Sequence, residues 1–144
     1  MSSPQFLVDR QRGKLGQHYV AEMFRSWGLV VYETEDGMFP DWDLQVFGKD
    51  DVTHTFEVKH DYKFSETGNF CLELEALMHS KADFLTIVTD SPRTVYVTPL
   101  QPALAFAHSW PRKLRVGEFN LEAAIVPKQD FINRLSPQIL TTSK

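Results

Sequence analysis

The sequence has little of what marks secreted, membrane-spanning or fibrous proteins. Its 144 residues include one cysteine, Cys71, so the chain cannot form an internal disulfide, and it suits a reducing compartment. Seven glycines and eight prolines are too few for a low-complexity or fibrous chain. No apolar run approaches the roughly 20 residues of a membrane span, and the polar N-terminus lacks the apolar segment of a secretory signal. We therefore expect one globular domain, residues 1–144, working in the cytoplasm without a membrane partner.

Positive charges are outnumbered by negative charges, 15 to 19, and the negative charges are unevenly placed. The net charge of −4 argues against a protein that coats nucleic acid by bulk charge. Residues 33–51 hold seven carboxylates against Lys49 alone, a net charge of −6, so the rest of the chain carries +2. The sequence contains no phosphate-binding glycine loop, no serine-hydrolase elbow and no zinc-ligand spacing.

The hydrophobic pattern that is present predicts an α/β domain. A helix is expected over 15–27, stopped by Gly28, and a short strand over 29–32. After a loop over 33–42, strands over 43–47 and 53–59 form a hairpin around a turn at 48–51. The remaining predicted elements are strands at 70–74, 82–88 and 94–98, a helix over 100–110, a short strand near 123–126, and helical turns after Pro127.

A group of charged residues in this hairpin is the candidate catalytic site. Asp41 and Asp43 stand at the beginning of the first strand, while Glu57 and Lys59 lie two apart on the second and so share a face. Two carboxylates and the Val58 carbonyl are the hard oxygen ligands that Mg²⁺ prefers. A bound metal lowers the pKa of a water and neutralises charge on a phosphate. The lysine can orient or deprotonate that water, or contact the phosphate, so the pattern indicates metal-assisted phosphodiester hydrolysis.

The segments Pro40-Asp41-Trp42-Asp43 and Glu57-Val58-Lys59, in this order of elements, resemble the PD-(D/E)xK nuclease superfamily. The similarity covers residues 10–98 and is greatest to archaeal Holliday-junction resolvases and small phage nucleases. It implies a restriction-endonuclease-like α/β core, with a central mixed sheet of four to five strands flanked by helices. It also implies an endonuclease that cuts DNA, branched DNA included, with Mg²⁺ or substituting Mn²⁺. A homodimer is implied too, acting in the host cytoplasm if the chain is phage-encoded.

The resemblance assigns roles to several residues. Asp43, Glu57 and Lys59 become the catalytic set, with Asp43, Glu57 and Val58 as metal ligands; we prefer Asp43 to Asp41 because it directly precedes the apolar strand. Gln17 stands where the superfamily's first helix often has an acid, and it can hold a water at the metal without adding charge. Glu22 is a further acid on that helix, but it lies about 140° around the axis from position 17, which favours an exposed side chain.

Other residues complete the predicted site. Glu73 and Glu75, predicted to share one face of the strand over 70–74, either extend the acidic centre or face solvent, and we favour a role for Glu73. Phosphate contacts are expected from basic residues before the first helix and after the catalytic strand, which position DNA without reading its sequence. These residues are Arg10, Arg12, Lys14 and Lys63.

Two alternatives remain open at the sequence level. The missing helix acid favours an inactive nuclease fold that serves as a DNA-binding or protein-interaction module. The aspartate and the Glu-x-Lys could also coincide by chance in a small α/β interaction protein, in which case Asp43 and Glu57 would lie too far apart to share a metal.

Overall fold

The computed structural model describes residues 4–34, 41–50, 52–90, 92–115 and 121–141, with the main chain alone for 4–12, 112–115 and 121. In this part of the chain the helices are α1 (Pro4–Ser26), α2 (Phe64–Thr67), α3 (Leu74–His79), α4 (Leu100–Ser109) and α5 (Lys128–Leu135). The strands are β1 (Val30–Glu33), β2 (Leu44–Phe47), β3 (Thr53–His60), β4 (Asn69–Glu73), β5 (Phe84–Thr89), β6 (Thr94–Pro99), β7 (Arg112–Arg115), β8 (Leu121–Pro127) and β9 (Gln138–Thr141).

The main sheet of the described chain is mixed and has six strands in the order β1-β2-β3-β5-β6-β9. Every neighbouring pair is antiparallel except β3 and β5, which are parallel. A parallel pair needs a long crossover, and here that connection contains α2, β4 and α3. The predicted α/β class is therefore confirmed, and the sheet exceeds the predicted four to five strands because β9 adds an edge strand.

Two hydrophobic cores lie on opposite faces of this sheet. On one face α1 packs through Phe24 against Val31, Leu44 and Phe56. On the other face α3, α4 and α5 enclose a second core together with a three-stranded sheet of order β4-β8-β7. Side chains alternate along β3, so Phe56 faces α1, whereas Glu57 faces the second core.

The first helix begins earlier than the sequence predicted. The residues of α1 that pack on the sheet include Val20, Met23 and Phe24, whereas Leu15 is 65% exposed. The helix nevertheless extends back to Pro4, well before the apolar spacing that predicted it. The prediction that Arg10, Arg12 and Lys14 precede the helix is therefore wrong, because all three lie within it. The predicted stop is confirmed: Gly28 has a φ of 85°, which glycine adopts without strain.

The predicted β2–β3 hairpin is confirmed, with Leu44 opposite Phe56. The β5–β6 hairpin is confirmed as well. Of the loop predicted over 33–42, residue 33 belongs to β1 and residues 35–40 lie outside the described chain.

The strand predicted over 70–74 has a different end and a different partner. It is β4, which pairs with β8 in the second sheet. Leu74 and Leu77, buried at helical spacing, instead belong to α3. Glu75 is therefore on a helix, and the prediction that Glu73 and Glu75 share a strand face is wrong.

Two strands were not predicted, β7 and β9. Both are four residues long and lie at the edge of a sheet, where little apolar alternation is needed. The elements predicted around Pro127 are present in longer form, as β8 and α5. No helix of the described chain combines the length and the apolar character that a membrane crossing requires.

Candidate active site

The hairpin register brings Asp43 and Glu57 together. Because Leu44 lies opposite Phe56, the preceding Asp43 falls opposite Glu57, and both side chains leave the same face. The Asp43 N–H donates to the Phe56 carbonyl at 2.9 Å, and Asp43 Oδ2 accepts the Val58 N–H at 2.7 Å. The Asp43 and Glu57 carboxyl groups also hydrogen-bond to each other.

Asp41 lies in a different environment from Asp43. Its side chain is half exposed and forms an ion pair with Lys81, with 3.7 Å between Oδ2 and Nζ. Its carbonyl accepts the Lys81 N–H at 2.8 Å. The geometry thus places Asp43, rather than Asp41, against Glu57.

Burial makes both carboxyl groups of the pair hard to ionise. It raises the pKa of Glu57 from 4.5 to about 8, helped by the negative charge of Asp43 and opposed by a hydrogen bond from Ser80. Burial also raises the pKa of Asp43, although the Val58 N–H and the positive charge of Lys14 act in the opposite direction. With its pKa raised to about 8, Glu57 holds a proton at neutral pH, and a cation that replaced this proton would favour the charged form of both groups.

Lys59 and Glu73 lie beside Glu57 on the same side of the sheet. Lys59 Nζ is 3.5 Å from Glu73 Oε1, and both side chains are about three-quarters buried. Glu57, Lys59 and Glu73 line a pocket of about 40 Å³ together with Leu72, Ala76, Leu77 and Leu85. The pocket has room for groups the size of a water molecule. Glu73 belongs to the site because it forms an ion pair with Lys59. Glu75, in contrast, is exposed and pairs with His79 at 3.9 Å.

Gln17 approaches the site from α1, across the sheet from Glu57. It is 5% exposed, and its Nε2 donates to the Thr34 carbonyl at 3.4 Å. Lys14 Nζ, one turn earlier, donates to the same carbonyl at 3.2 Å, and the Thr34 N–H donates to the Asp43 carbonyl at 2.9 Å. Gln17 is therefore connected to Asp43 through the main chain of Thr34.

Glu22 is exposed, as the sequence favoured. It forms an ion pair with Arg25 at 2.8 Å on the outer surface of α1. The helix therefore does not bring a third carboxylate to the site through Glu22.

Ser80 is the site residue that the sequence did not indicate. Its hydroxyl donates to Glu57 Oε1 at 2.8 Å. Ser80 follows α3, and the contact exists because the crossover returns the chain to β5, beside β3. A single serine after a short helix gives no sequence signal for such a contact.

The comparisons with known proteins concern structure alone. No protein-family model and no curated protein matches the sequence. Among solved structures, the bacterial homing endonuclease I-Ssp6803I superposes with a TM-score of 0.54 at 15% identity, covering 100% of this chain and 79% of that chain. Hjc, a Holliday junction resolvase from Archaeoglobus fulgidus, gives a TM-score of 0.48 at 13% identity, covering 77% and 82%. The chain therefore shares its fold with this homing endonuclease. The predicted resemblance is confirmed at the level of the fold.

A metal ion at this site would have a limited set of protein ligands. The described residues contain no cluster of three or more histidine, cysteine, aspartate or glutamate side chains suited to a metal. The available donors are the two carboxylates of Asp43 and Glu57 and the Val58 carbonyl. This all-oxygen set fits Mg²⁺, which keeps several waters and needs few protein ligands.

The basic residues predicted to contact DNA differ in how far the structure describes them. Lys14 is half-buried near Asp43, and Lys63 is exposed in the turn before α2. The side chains of Arg10 and Arg12 lie outside the described part of the chain.

Proposed function

We propose that this chain is a metal-dependent endonuclease that hydrolyses phosphodiester bonds of DNA, branched DNA among its substrates. The observation that carries the proposal is the contact between the Asp43 and Glu57 carboxyl groups, with Lys59 beside them, in a nuclease fold. An accidental motif has no reason to place the Asp43 carboxyl group against that of Glu57 while Glu57 and Lys59 line one pocket.

The proposed ligands of a divalent cation are Asp43, Glu57 and the Val58 carbonyl. Such a cation lowers the pKa of a water and neutralises charge that develops on the phosphate. The Val58 N–H fixes Asp43, so one peptide segment of β3 orients one ligand and supplies the next. Asp43 and Glu57 would hold the cation as carboxylates, so the proton on Glu57 would have to leave before the cation bound.

The proposed role of Lys59 is to act on the water or on the scissile phosphate. Its ammonium group lies on the same face as Glu57, and Glu73 limits its motion at 3.5 Å. It can therefore orient the attacking water, help to remove its proton, or donate to a phosphate oxygen. The proposed role of Gln17 is to position a water near Asp43 from the α1 side of the sheet, opposite the side of Glu57.

The remaining parts of the proposal concern how DNA is held. Lys14 and Lys63, with Arg10 and Arg12, are the proposed phosphate contacts. We also propose a homodimer in the cytoplasm, since two linked cuts in one DNA require two active sites.

The test is a cleavage panel on labelled linear, nicked, flapped and four-way DNA with Mg²⁺ or Mn²⁺. The wild type is expected to cut at least one substrate, and Glu57→Ala and Lys59→Ala are expected to abolish cutting. Lys59→Ala is expected to keep its fold and its DNA binding. Cleavage by Lys59→Ala at the wild-type rate would contradict the assignment.

A non-catalytic DNA-binding or protein-interaction module is the second candidate. It is favoured by Gln17, which brings an uncharged amide where an acid is usual and contacts Thr34 rather than the carboxylates. Calorimetric titration with Mn²⁺ separates the two candidates. The nuclease predicts binding that Asp43→Asn removes, whereas the module predicts no binding or binding that this variant leaves unchanged.

A further inference from the structure

Ser80 lies where four parts of the chain meet at the site. It is 9% exposed and directly follows α3. Its hydroxyl donates to Glu57 Oε1 at 2.8 Å and accepts the Ala82 N–H at 3.2 Å. The Asp41 carbonyl lies 3.4 Å from the same oxygen. The end of α3, the segment that leads to β5, the Glu57 carboxylate and the segment that leads to Asp43 therefore converge on one side chain.

The hydroxyl has only one proton to donate. The Glu57 carboxylate is the closer acceptor, so it receives that proton, and the Ala82 N–H occupies the acceptor side of the hydroxyl. The oxygen is thus held from both sides and cannot rotate away without leaving a buried group unpaired. One oxygen of Glu57 is fixed by this bond, while its carboxyl group also contacts Asp43.

The main chain next to Ser80 strengthens the same connection. The Lys81 N–H donates to the Asp41 carbonyl at 2.8 Å, which holds the segment before β2 against the end of α3. Two sets of contacts therefore fix the distance between the segments that carry Asp43 and Glu57. One set is the β2–β3 pairing, and the other is the contact made at residues 80 and 81.

We propose that Ser80 is a positioning residue, which holds the Glu57 carboxylate in the orientation needed to share a divalent cation with Asp43. This inference rests on the proposed function. Hydrogen-bonding partners of metal ligands fix ligand geometry, and their loss commonly weakens metal binding by about 10- to 100-fold. Ser80 touches neither the DNA nor the cation in this role and acts through Glu57.

The test measures Mn²⁺ binding to the DNA-free protein by calorimetry. Ser80→Ala is expected to weaken binding by about 10-fold or more. In cleavage assays, the Mn²⁺ concentration for half-maximal rate is expected to rise, while the rate at saturating Mn²⁺ returns toward that of the wild type. A residue with only a structural role would lower the rate at every metal concentration.

Two further variants separate the hydroxyl from the shape of the side chain. Ser80→Thr and Ser80→Val have nearly the same volume, and only Thr keeps the hydroxyl. We expect tighter Mn²⁺ binding by Thr than by Val, which tests the inference even if Ser80→Ala folds poorly. Ser109→Ala is the matched control, because Ser109 also ends a helix and donates to a carbonyl, that of Phe106 at 2.8 Å. It should bind Mn²⁺ like the wild type.

The outcomes distinguish this inference from the proposed function. If Asp43→Asn abolishes Mn²⁺ binding but Ser80→Ala and Ser80→Val bind as tightly as the wild type, only the role of Ser80 is overturned. If the wild type binds no Mn²⁺, the proposed function fails, and the inference fails with it. Weaker binding by Ala and Val with retention by Thr supports both.

Discussion

At the scale of single residues, the most unusual group is the Glu57 carboxyl. The groups that contact this carboxyl come from distant parts of the sequence. Asp43 lies just before β2, and Ser80 directly follows α3. Ionisation of a buried pair of carboxyl groups destabilises the folded protein when no cation is bound, because desolvation and mutual repulsion both disfavour the charged form. The free energy of unfolding of the metal-free protein should therefore depend on pH through this site.

The first prediction is that Glu57 makes the metal-free protein less stable as the pH rises. The pKa of Glu57 in the folded state, about 8, exceeds the ordinary value of 4.5, so the folded protein binds the proton more tightly than the unfolded chain. Its stabilising contribution is therefore complete below pH 4.5 and is lost as the pH rises through 8. Glu57→Gln removes this dependence and should be more stable than the wild type at pH 8, by roughly a few kcal/mol.

The measurement is urea unfolding of both proteins with a chelator, at about pH 5 and about pH 8. Because the variant lacks the titrating group, the difference between the two free energies of unfolding should be larger at the higher pH. Equal differences at both values would show that Glu57 does not have the raised pKa.

The second prediction concerns Glu73 and its ion pair with Lys59. Glu73→Gln removes the charge that holds the lysine, so cleavage should fall by roughly 10-fold while Mn²⁺ binding remains. Glu75→Gln is the matched control, since Glu75 is two residues away but exposed and pairs with His79. Cleavage rates and calorimetry are compared in all three proteins. Equal loss of cleavage in both variants, or loss of Mn²⁺ binding in Glu73→Gln, would contradict a role through Lys59.

At the scale of elements, α1 is fixed against β3 by a close contact at Gly16. A methyl group at this position would lie 2.7 Å from His60 Cβ. His60 cannot move away easily, because its ring is 8% exposed and its Nε2 lies 2.8 Å from Asp90 Oδ2. Gln17 follows Gly16, so this contact also sets how close Gln17 comes to Thr34.

The third prediction compares two glycines of the same helix. Gly16→Ala should lower the free energy of unfolding by about 1–3 kcal/mol, because the added methyl group forces α1 and β3 apart. At Gly13 an added Cβ meets no described atom within 4 Å, so Gly13→Ala should be neutral or stabilise the helix by up to about 1 kcal/mol. Urea unfolding measures both. A Gly16→Ala protein as stable as Gly13→Ala would contradict the close packing of α1 on β3.

The elements also show which parts of the fold a sequence can reveal. The β2–β3 hairpin is local, and its alternation and turn residues predict both its existence and the shared face of Glu57 and Lys59. The partner of β4 is β8, about 50 residues later, and no local pattern specifies that pairing. Leu74 fits a strand and a helix equally well until Leu77 shows the helical spacing.

The same distinction applies to the candidate site. Asp43, Glu57 and Lys59 come from one hairpin, so a local sequence pattern can indicate them as candidates. Ser80 and the pairing of Glu73 with Lys59 depend on how the crossover folds back over β3, which is a tertiary property. Positioning groups of this kind come from distant segments and are visible only in the structure.

At the scale of the whole molecule, the distribution of charge determines how DNA can be held. Residues 33–51 carry a net charge of −6, and the remaining residues carry +2. The acidic segment contains Asp43, one of the proposed metal ligands, so bound cations offset part of the repulsion toward phosphate. Binding should therefore rest on a small number of basic contacts and depend on both metal and salt.

The last prediction is that Lys63 makes one of these contacts. In a Lys59→Ala background, which is expected to bind without cutting, the affinity for four-way DNA is measured with Mg²⁺ over a series of salt concentrations. Lys63→Ala should reduce the slope of log affinity against log salt by about one, the value for one phosphate contact. Lys49→Ala is the control, because Lys49 is also exposed but lies at the tip of the β2–β3 hairpin, opposite the end that carries Asp43 and Glu57. Equal slopes for the Lys63→Ala and Lys49→Ala proteins would show that Lys63 makes no phosphate contact.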